Sequence, residues 1–535
     1  MKKKGFTLVE FMAILVIVVI IIIIALPSVI KIVDEGIKSN RFVLISSYDN
    51  RVYNDELMSF ADKNGINLTI EYYDDLEAID MLEENSKNYD ALWLSNSTWV
   101  YMLDNVRTSN SKSININPVV FGVKKSKAKE LGFIDNKIYS RDIINAIKSN
   151  KLKYVMSSVV KTNTGLVSYL GFLNSLAGSP EILTSSMLNN KKLQDDLISL
   201  FSGVERVSGS QDFLTSMFLN NSEYEAVIAS ESELININKQ LTNKGLETLY
   251  LLYPVDGVAV NDSPFAYVEN SQGKEEQFDK LQSFLLSKES QNKLESLGKR
   301  TWYGGIKENA DSRAFKKEWG IDTTKYLIAS KYPSKAVINE AIDLYIELFR
   351  KESATVFCLD FSGSMYGEGE KQLKEAMEYI LNEESARKDR IQFSKKDIVM
   401  VIPFSDYVQG TVRTNNGKET DDLIQRINYS YASGGTNLYG CASQAMKELE
   451  SVSDKYTKTV VLMTDGSANI GSYNSFAYDY NRSIEIQKNK VPVYGILFGN
   501  AVRYQLEDIA SLTNAKVFDG RSNLTSAFKE VRSYN

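Results

Sequence analysis

The strongest pattern in the chain is its start. Lys2, Lys3 and Lys4 precede a stretch from Phe11 to Ile30 that carries no charge, with Pro27 and Ser28 as its only interruptions. About twenty residues of helix span about 30 Å, one bilayer core. The Ile/Val bias does not change that reading, because a backbone in lipid must satisfy its own hydrogen bonds. The lysines keep the N-terminus cytoplasmic and place everything after Lys31 outside. A different pattern then takes over. Apolar runs at Phe42–Ile45, Leu68–Tyr72 and Ala91–Leu94 alternate with helical spacing over Asn54–Asn64 and Leu76–Glu84, which predicts parallel strands joined by crossover helices. After a lead-in helix over 334–351, the last third repeats the alternation. It predicts strands at 355–359, 398–404, 459–464 and 491–498, helices at 371–382 and 438–452, and two closing helices. Runs so continuously apolar belong to strands buried on both faces.

Composition narrows the function. The chain has 535 residues, a net charge of −6, two cysteines and no histidine. That length suggests three or four domains, and the acidic balance argues against a nucleic-acid partner. Without histidine there is no Ser-His-Asp or Cys-His system and no His-based zinc site. An enzyme is therefore not expected. Any metal must be held by oxygen or by the thiols of Cys358 and Cys441, which are either free or, if their Cα atoms lie within about 7 Å, bridged.

Candidate chemistry sits at predicted strand ends. Asp360, Ser362 and Ser364 leave one strand, Thr436 lies in a Gly-rich loop, and Asp465 ends another strand. Ligands of open parallel sheets collect there, and two carboxylates with three hydroxyls suit Mg²⁺ or Mn²⁺, with Ca²⁺ a third choice. Such ligands are expected to keep their protonation state from pH 5 to 8.

Three resemblances follow. Residues 1–41, with Gly5-Phe6-Thr7-Leu8-Val9-Glu10 and the apolar run, resemble a type IV prepilin. That implies a leader (1–5) cut between Gly5 and Phe6 by prepilin peptidase, methylation of Phe6, a membrane helix (6–41), and pairing of Glu10 with a neighbouring pilin's N-terminus. Residues 42–330 resemble a bilobed type II solute-binding protein, on Ile45-Ser46-Ser47-Tyr48-Asp49, Asn117-Pro118-Val119, Thr162-Asn163-Thr164-Gly165 and Tyr253-Pro254-Val255-Asp256-Gly257, with a late helix over 278–290. The implied cleft residues are Ser46, Ser47, Ser95, Ser97, Thr162, Asn163, Thr164 and Glu231, which suit a small polar or oxyanionic ligand or else simply cap helices and turns. Residues 331–535 resemble a von Willebrand factor type A domain with all five positions of its metal-ion-dependent adhesion site filled. The resemblance implies a doubly wound α/β fold and an open metal position that takes a carboxylate from an acidic protein target. Together these give an α/β chain expected at the bacterial membrane and then on a pilus, near its tip, as a metal-dependent adhesin. A ligand sensor, a pilus-assembly initiator and a surface protein outside any filament are the alternatives.

Overall fold

The computed structural model describes residues 41–270, 273–306, 313–324 and 333–534. Gly5, Phe6, Glu10 and the membrane run lie outside the described residues, among which no helix is long and apolar enough to cross a membrane. Arg41, assigned above to that helix, instead opens a strand.

The chain forms two compact units. Of the described residues, the first takes 41–95, then Leu103–Ile114 and those within 264–290. Its sheet is built on the parallel strands Asn67–Tyr73, Arg41–Ser47 and Ala91–Trp93. The late strand Pro264–Val268 enters antiparallel beside Ala91–Trp93 and pairs on its other side with Thr108–Ser113. A chain that leaves a sheet and returns to it some 150 residues later, as here, gives the interleaved lobe expected of a solute-binding fold. The helix predicted over 278–290 is in fact two, Glu275–Leu285 and Lys288–Ser296. Ser287 separates them, its hydroxyl accepting from Ser290 N–H at 3.2 Å.

The second unit takes Asn96–Met102, Asn115–Ser263 and the described residues from Gln291 on. It holds two sheets. One runs through Ala259–Asn261, Asn115–Lys124, Ala226–Ser230, Tyr154–Ser157 and Val204–Ser208. The other is the C-terminal sheet. Its strands Ile398–Phe404, Ser353–Asp360, Thr457–Thr464, Val493–Leu497 and Val517–Asp519 are all parallel, and Val412–Thr414 adds an antiparallel edge.

The apolar runs are continuous there because each strand feeds two cores. Phe357 and Leu359 face one, and Ala354, Val356 and Cys358 face the other. Val399 with Val401 and Val461 with Met463 follow the same period of two. Helix Glu368–Leu381 covers the first face with Leu373, Ala376, Met377 and Ile380, and Leu438–Glu450 covers the second with Leu438, Ala442, Ala445 and Leu449. The lead-in helix begins at Lys335 and ends in a wider turn over Tyr345–Phe349. Both cysteines are buried free thiols, Cys358 Sγ donating to Cys441 O at 3.3 Å.

Within this unit the two sheets are packed together. Arg206 donates to Asn514 O at 2.8 Å and to Tyr494 Oη at 2.7 Å, and Phe213 stacks edge-on against Tyr534 at 5.5 Å. Gly209 permits this approach, since a Cβ there would lie 2.3 Å from Ser533 Oγ.

Candidate metal centre

Strand Ser353–Asp360 ends by turning its last side chain over the sheet edge. Asp360 Oδ1 accepts from Ser362 N–H at 2.7 Å, which folds the loop back, and Asp360 Oδ2 accepts from Thr464 Oγ1 at 2.5 Å. Ser362 and Ser364 then present their hydroxyl oxygens 3.1 Å apart, and Ser364 Oγ donates to Asp465 Oδ1 at 2.7 Å. Thr436 is fixed through its backbone, donating N–H to Asn469 Oδ1 at 2.8 Å. Its hydroxyl makes no hydrogen bond among the described residues. Gly466 closes the ring, since a Cβ there would stand 3.3 Å from Ser364 Oγ and 3.6 Å from Thr436 Oγ1. The five residues predicted from separate segments therefore converge. Asp360, Ser362, Thr436 and Asp465 are buried, whereas Ser364 opens to solvent.

Charge is what this site lacks. Burial, with Asp465 adding to it, pushes the Asp360 carboxyl up to about 6. Asp465 is raised too, chiefly by burial. The loops at this sheet edge, 361–370, 405–409, 428–437, 465–474 and 498–502, contain no Lys or Arg. Two buried acids without a counter-charge, ringed by hydroxyl oxygens, fit a hard divalent cation. Among the described residues no three His, Cys, Asp or Glu side chains gather; the donor set here is two carboxylates and three hydroxyls. The expectation of constant protonation from pH 5 to 8 does not hold for the cation-free centre, because burial moves Asp360 into that window. Thr464 and Asn469, which orient Asp360 and Thr436, were not singled out in the sequence; Thr464 adjoins the predicted ligand Asp465, and nothing local marks Asn469.

The other candidates fall in two places, each taken within its own unit. In the first, Ser47 Oγ and Ser95 Oγ lie 2.6 Å apart and each contacts Asp75 Oδ2 at 2.9 Å. Ser95 Oγ also contacts Asp49 Oδ2 at 2.9 Å, and Ser95 N–H donates to Asp75 Oδ1. Two hydroxyl protons cannot serve four such contacts. A proton on Asp75 supplies a third, in keeping with its carboxyl being pushed up to about 7 by burial and by Asp49. Ser46 Oγ donates to Trp93 O at 3.1 Å.

In the second unit Ser97 pairs with Asp262, Thr162 caps a helix by accepting from Gly165 N–H at 3.1 Å, and Asn163 accepts from Trp99 Nε1 at 2.8 Å. Thr164 is buried. Glu231 forms a two-pronged buried ion pair with Arg300, at 2.8 Å on both oxygens, and accepts from Tyr253 Oη.

Among solved structures, the chain resembles a ferric binding protein from Campylobacter jejuni, at 15% identity and TM-score 0.42 over 57% of this chain and 98% of that one. A Clostridium perfringens ABC transporter structure aligns at 16% identity and TM-score 0.41, over 58% and 98%. Among curated proteins, inter-alpha-trypsin inhibitor heavy chain H3 of Pongo abelii is 29% identical over 175 residues, 30% of this chain and 18% of that one. The Bos taurus protein is 28% identical over 178 residues, with the same coverage. This chain thus spans less than a fifth of the length of these relatives. The family model that matches is the von Willebrand factor type A domain, over 355–531, and with the parallel sheet and its five converging side chains this identifies the C-terminal third as such a domain.

Proposed function

We propose that this protein is a minor type IV pilin whose A domain is a divalent-metal-dependent adhesin. The observation that carries the reading is the cluster of Asp360, Ser362, Ser364, Thr436 and Asp465, with two buried carboxylates and no basic side chain in the surrounding loops. These residues would hold Mg²⁺, or Mn²⁺ or Ca²⁺ in its place, and the ion, when bound, supplies a position that takes a carboxylate oxygen from an acidic group of a target protein. Asp360 is kept aimed by Ser362 N–H and Thr464, and Ser364 is the donor that solvent and a partner reach. Nothing in this arrangement positions a base near the ion, so the protein acts by binding rather than by catalysis.

The pilin part rests on the sequence. Prepilin peptidase cuts after Gly5, Phe6 becomes the methylated N-terminus, and Glu10 pairs with a neighbouring pilin in the filament. Before assembly the chain is held in the cell membrane with its head outside, and a head of this size suits the pilus tip. A small-ligand sensor draws less support, since within each unit most of the expected cleft residues bond to protein groups.

The test is adhesion of cells that carry the full chain. Asp360→Ala and EDTA should each abolish attachment while pili remain visible and the mature chain starts at methylated Phe6. Attachment unchanged by both would remove the metal mechanism. A chain found uncut at Gly5 would remove the pilin assignment.

A further inference from the structure

The metal-side edge of the A domain carries a second pattern. Tyr366, Tyr407, Tyr429 and Tyr431 each leave between 62% and 82% of their surface in solvent. Tyr366, Tyr407 and Tyr431 stand on loops that the backbone ties into one ring, and Tyr429 ends the helix Asp421–Tyr429 that leads into the last of them. Gly363 N–H donates to Gly434 O at 3.0 Å, Ser433 N–H to Phe361 O at 2.9 Å, and Asn437 N–H to Ser405 O at 2.7 Å. Tyr366 follows Ser364 by two residues, Tyr407 adjoins Asp406, and Tyr431 leads into the Gly434–Thr436 turn. Isolated exposed rings are ordinary. Three on the loops around one centre and a fourth at the adjoining helix end, with loops otherwise rich in Ser, Gly and Asn, have the composition of a protein-binding surface. Tyrosine offers large, rigid contact area at small entropic cost, and Ser, Gly and Asn offer adaptable hydrogen bonds.

The ring also has a sign. Its loops hold no Lys or Arg, and Asp406 and Glu368 are its exposed charges. The cation that reaches these loops from the neighbouring helix, Lys374, is already paired with Glu370 at 2.7 Å, so an approaching carboxylate is left with a bound metal as its partner. The surrounding rings and acids instead attract cations, through the negative faces of the aromatics and by direct charge.

We propose that this tyrosine ring is the docking surface for a folded protein that presents one carboxylate flanked by Lys or Arg. The carboxylate goes to the metal. The flanking cations go to the tyrosine faces and to Asp406 and Glu368. The inference rests on the metal reading given above and adds the chemistry that surrounds the anchoring carboxylate.

The test uses the purified full chain in detergent and an array of disulfide-closed peptide loops. Each loop presents one Asp flanked by Lys and Arg, by Ser, or by Glu, and polyuronate oligosaccharides are spotted beside them. In Mg²⁺, loops with basic flanks should retain the protein about tenfold better than loops with acidic flanks, two exposed cation–π contacts being worth about that much. Combining Tyr366→Ser, Tyr429→Ser and Tyr431→Ser should remove this preference while Mg²⁺ affinity by calorimetry stays unchanged. The corresponding Phe substitutions should keep it. Retention indifferent to the flanks, unaltered by the Ser substitutions, or stronger on polyuronate overturns the docking proposal. Retention that survives EDTA and Asp360→Ala, yet still falls with the tyrosines, overturns the metal reading alone.

Discussion

Two regions of this molecule place buried aspartates and hydroxyls at the carboxyl ends of parallel strands, and they resolve the same problem differently. In the A domain, Asp360 accepts from Ser362 N–H and Thr464, and the Thr436 hydroxyl stays out of hydrogen bonds with the described residues. In the first unit, Asp75 takes Ser47, Ser95 and a backbone N–H, and Asp49 takes Ser95 as well. Both acids are pushed up, to about 6 and about 7. In the first unit a proton on Asp75 joins the two hydroxyl protons, and both hydroxyls and both Asp75 oxygens have protein partners. In the A domain a proton on Asp360 would still leave Asp465 and the hydroxyl oxygens facing a glycine-lined opening. Residue types alone do not make a cation site. The deciding quantity is how many acceptor lone pairs the protein leaves unused.

The largest expected effect tests whether Glu231 belongs with the groups that have protein partners. Its carboxylate and the Arg300 guanidinium are almost wholly buried against one another. Glu231→Ala should cost about 3–5 kcal/mol of stability, because it strands a buried cation. Chemical denaturation of the full chain measures this. A loss under about 1 kcal/mol would return Glu231 to the ligand candidates.

Asp75 comes next. Its folded carboxyl titrates near 7 against an ordinary 3.8. Between those values the folded chain holds a proton that the unfolded chain has released, so stability falls as pH rises through the window, by roughly 4 kcal/mol in all. Asp75→Asn should flatten that slope, and melting curves from pH 4 to 8 show it. A wild-type curve that rises over this range would contradict the protonated cluster.

How much of this was legible in the sequence follows from where each signal sits. The A-domain strands read well because each apolar run is buried on both faces, and the ligand residues follow the ends of those runs directly. The edge strand Val412–Thr414 was not readable, since three partly exposed residues carry no period. Helix Tyr473–Gln487 escaped because its buried face is Phe476, Tyr480, Ser483 and Gln487 rather than an aliphatic stripe. The partners of the lobe candidates could not be read at all. Asp75 reaches Ser47 across 28 residues, and Arg300 reaches Glu231 across 69. Nothing local marks such pairs, and they depend on strand register. The same gap explains why Ser47 and Ser95 looked like free donors.

Two smaller effects concern the metal itself. Mg²⁺ should bind once per chain, and at a hundredfold excess over its dissociation constant it should stabilise the chain by about 2.7 kcal/mol. Asp360→Ala should remove that gain, whereas Asp75→Asn should leave it intact. A second equivalent lost with Asp75→Asn would mean that the two clusters are not different in kind.

The smallest effect is the pH dependence of that binding. A cation must displace the proton from Asp360, so the apparent dissociation constant scales as one plus the ratio of protonated to ionised carboxyl. With Asp360 near 6, that factor is close to one at pH 8 and about ten at pH 5, so affinity falls about tenfold as the solution is acidified. The direction is fixed by the sign of the shift. An acid raised by burial binds its proton where metal would bind, and loses the competition only above its own titration point. Calorimetry at pH 5, 6, 7 and 8 should trace this curve in the wild type and in Asp75→Asn alike. A flat profile would mean that Asp360 is already ionised at pH 5, its hydrogen bonds from Ser362 and Thr464 outweighing burial.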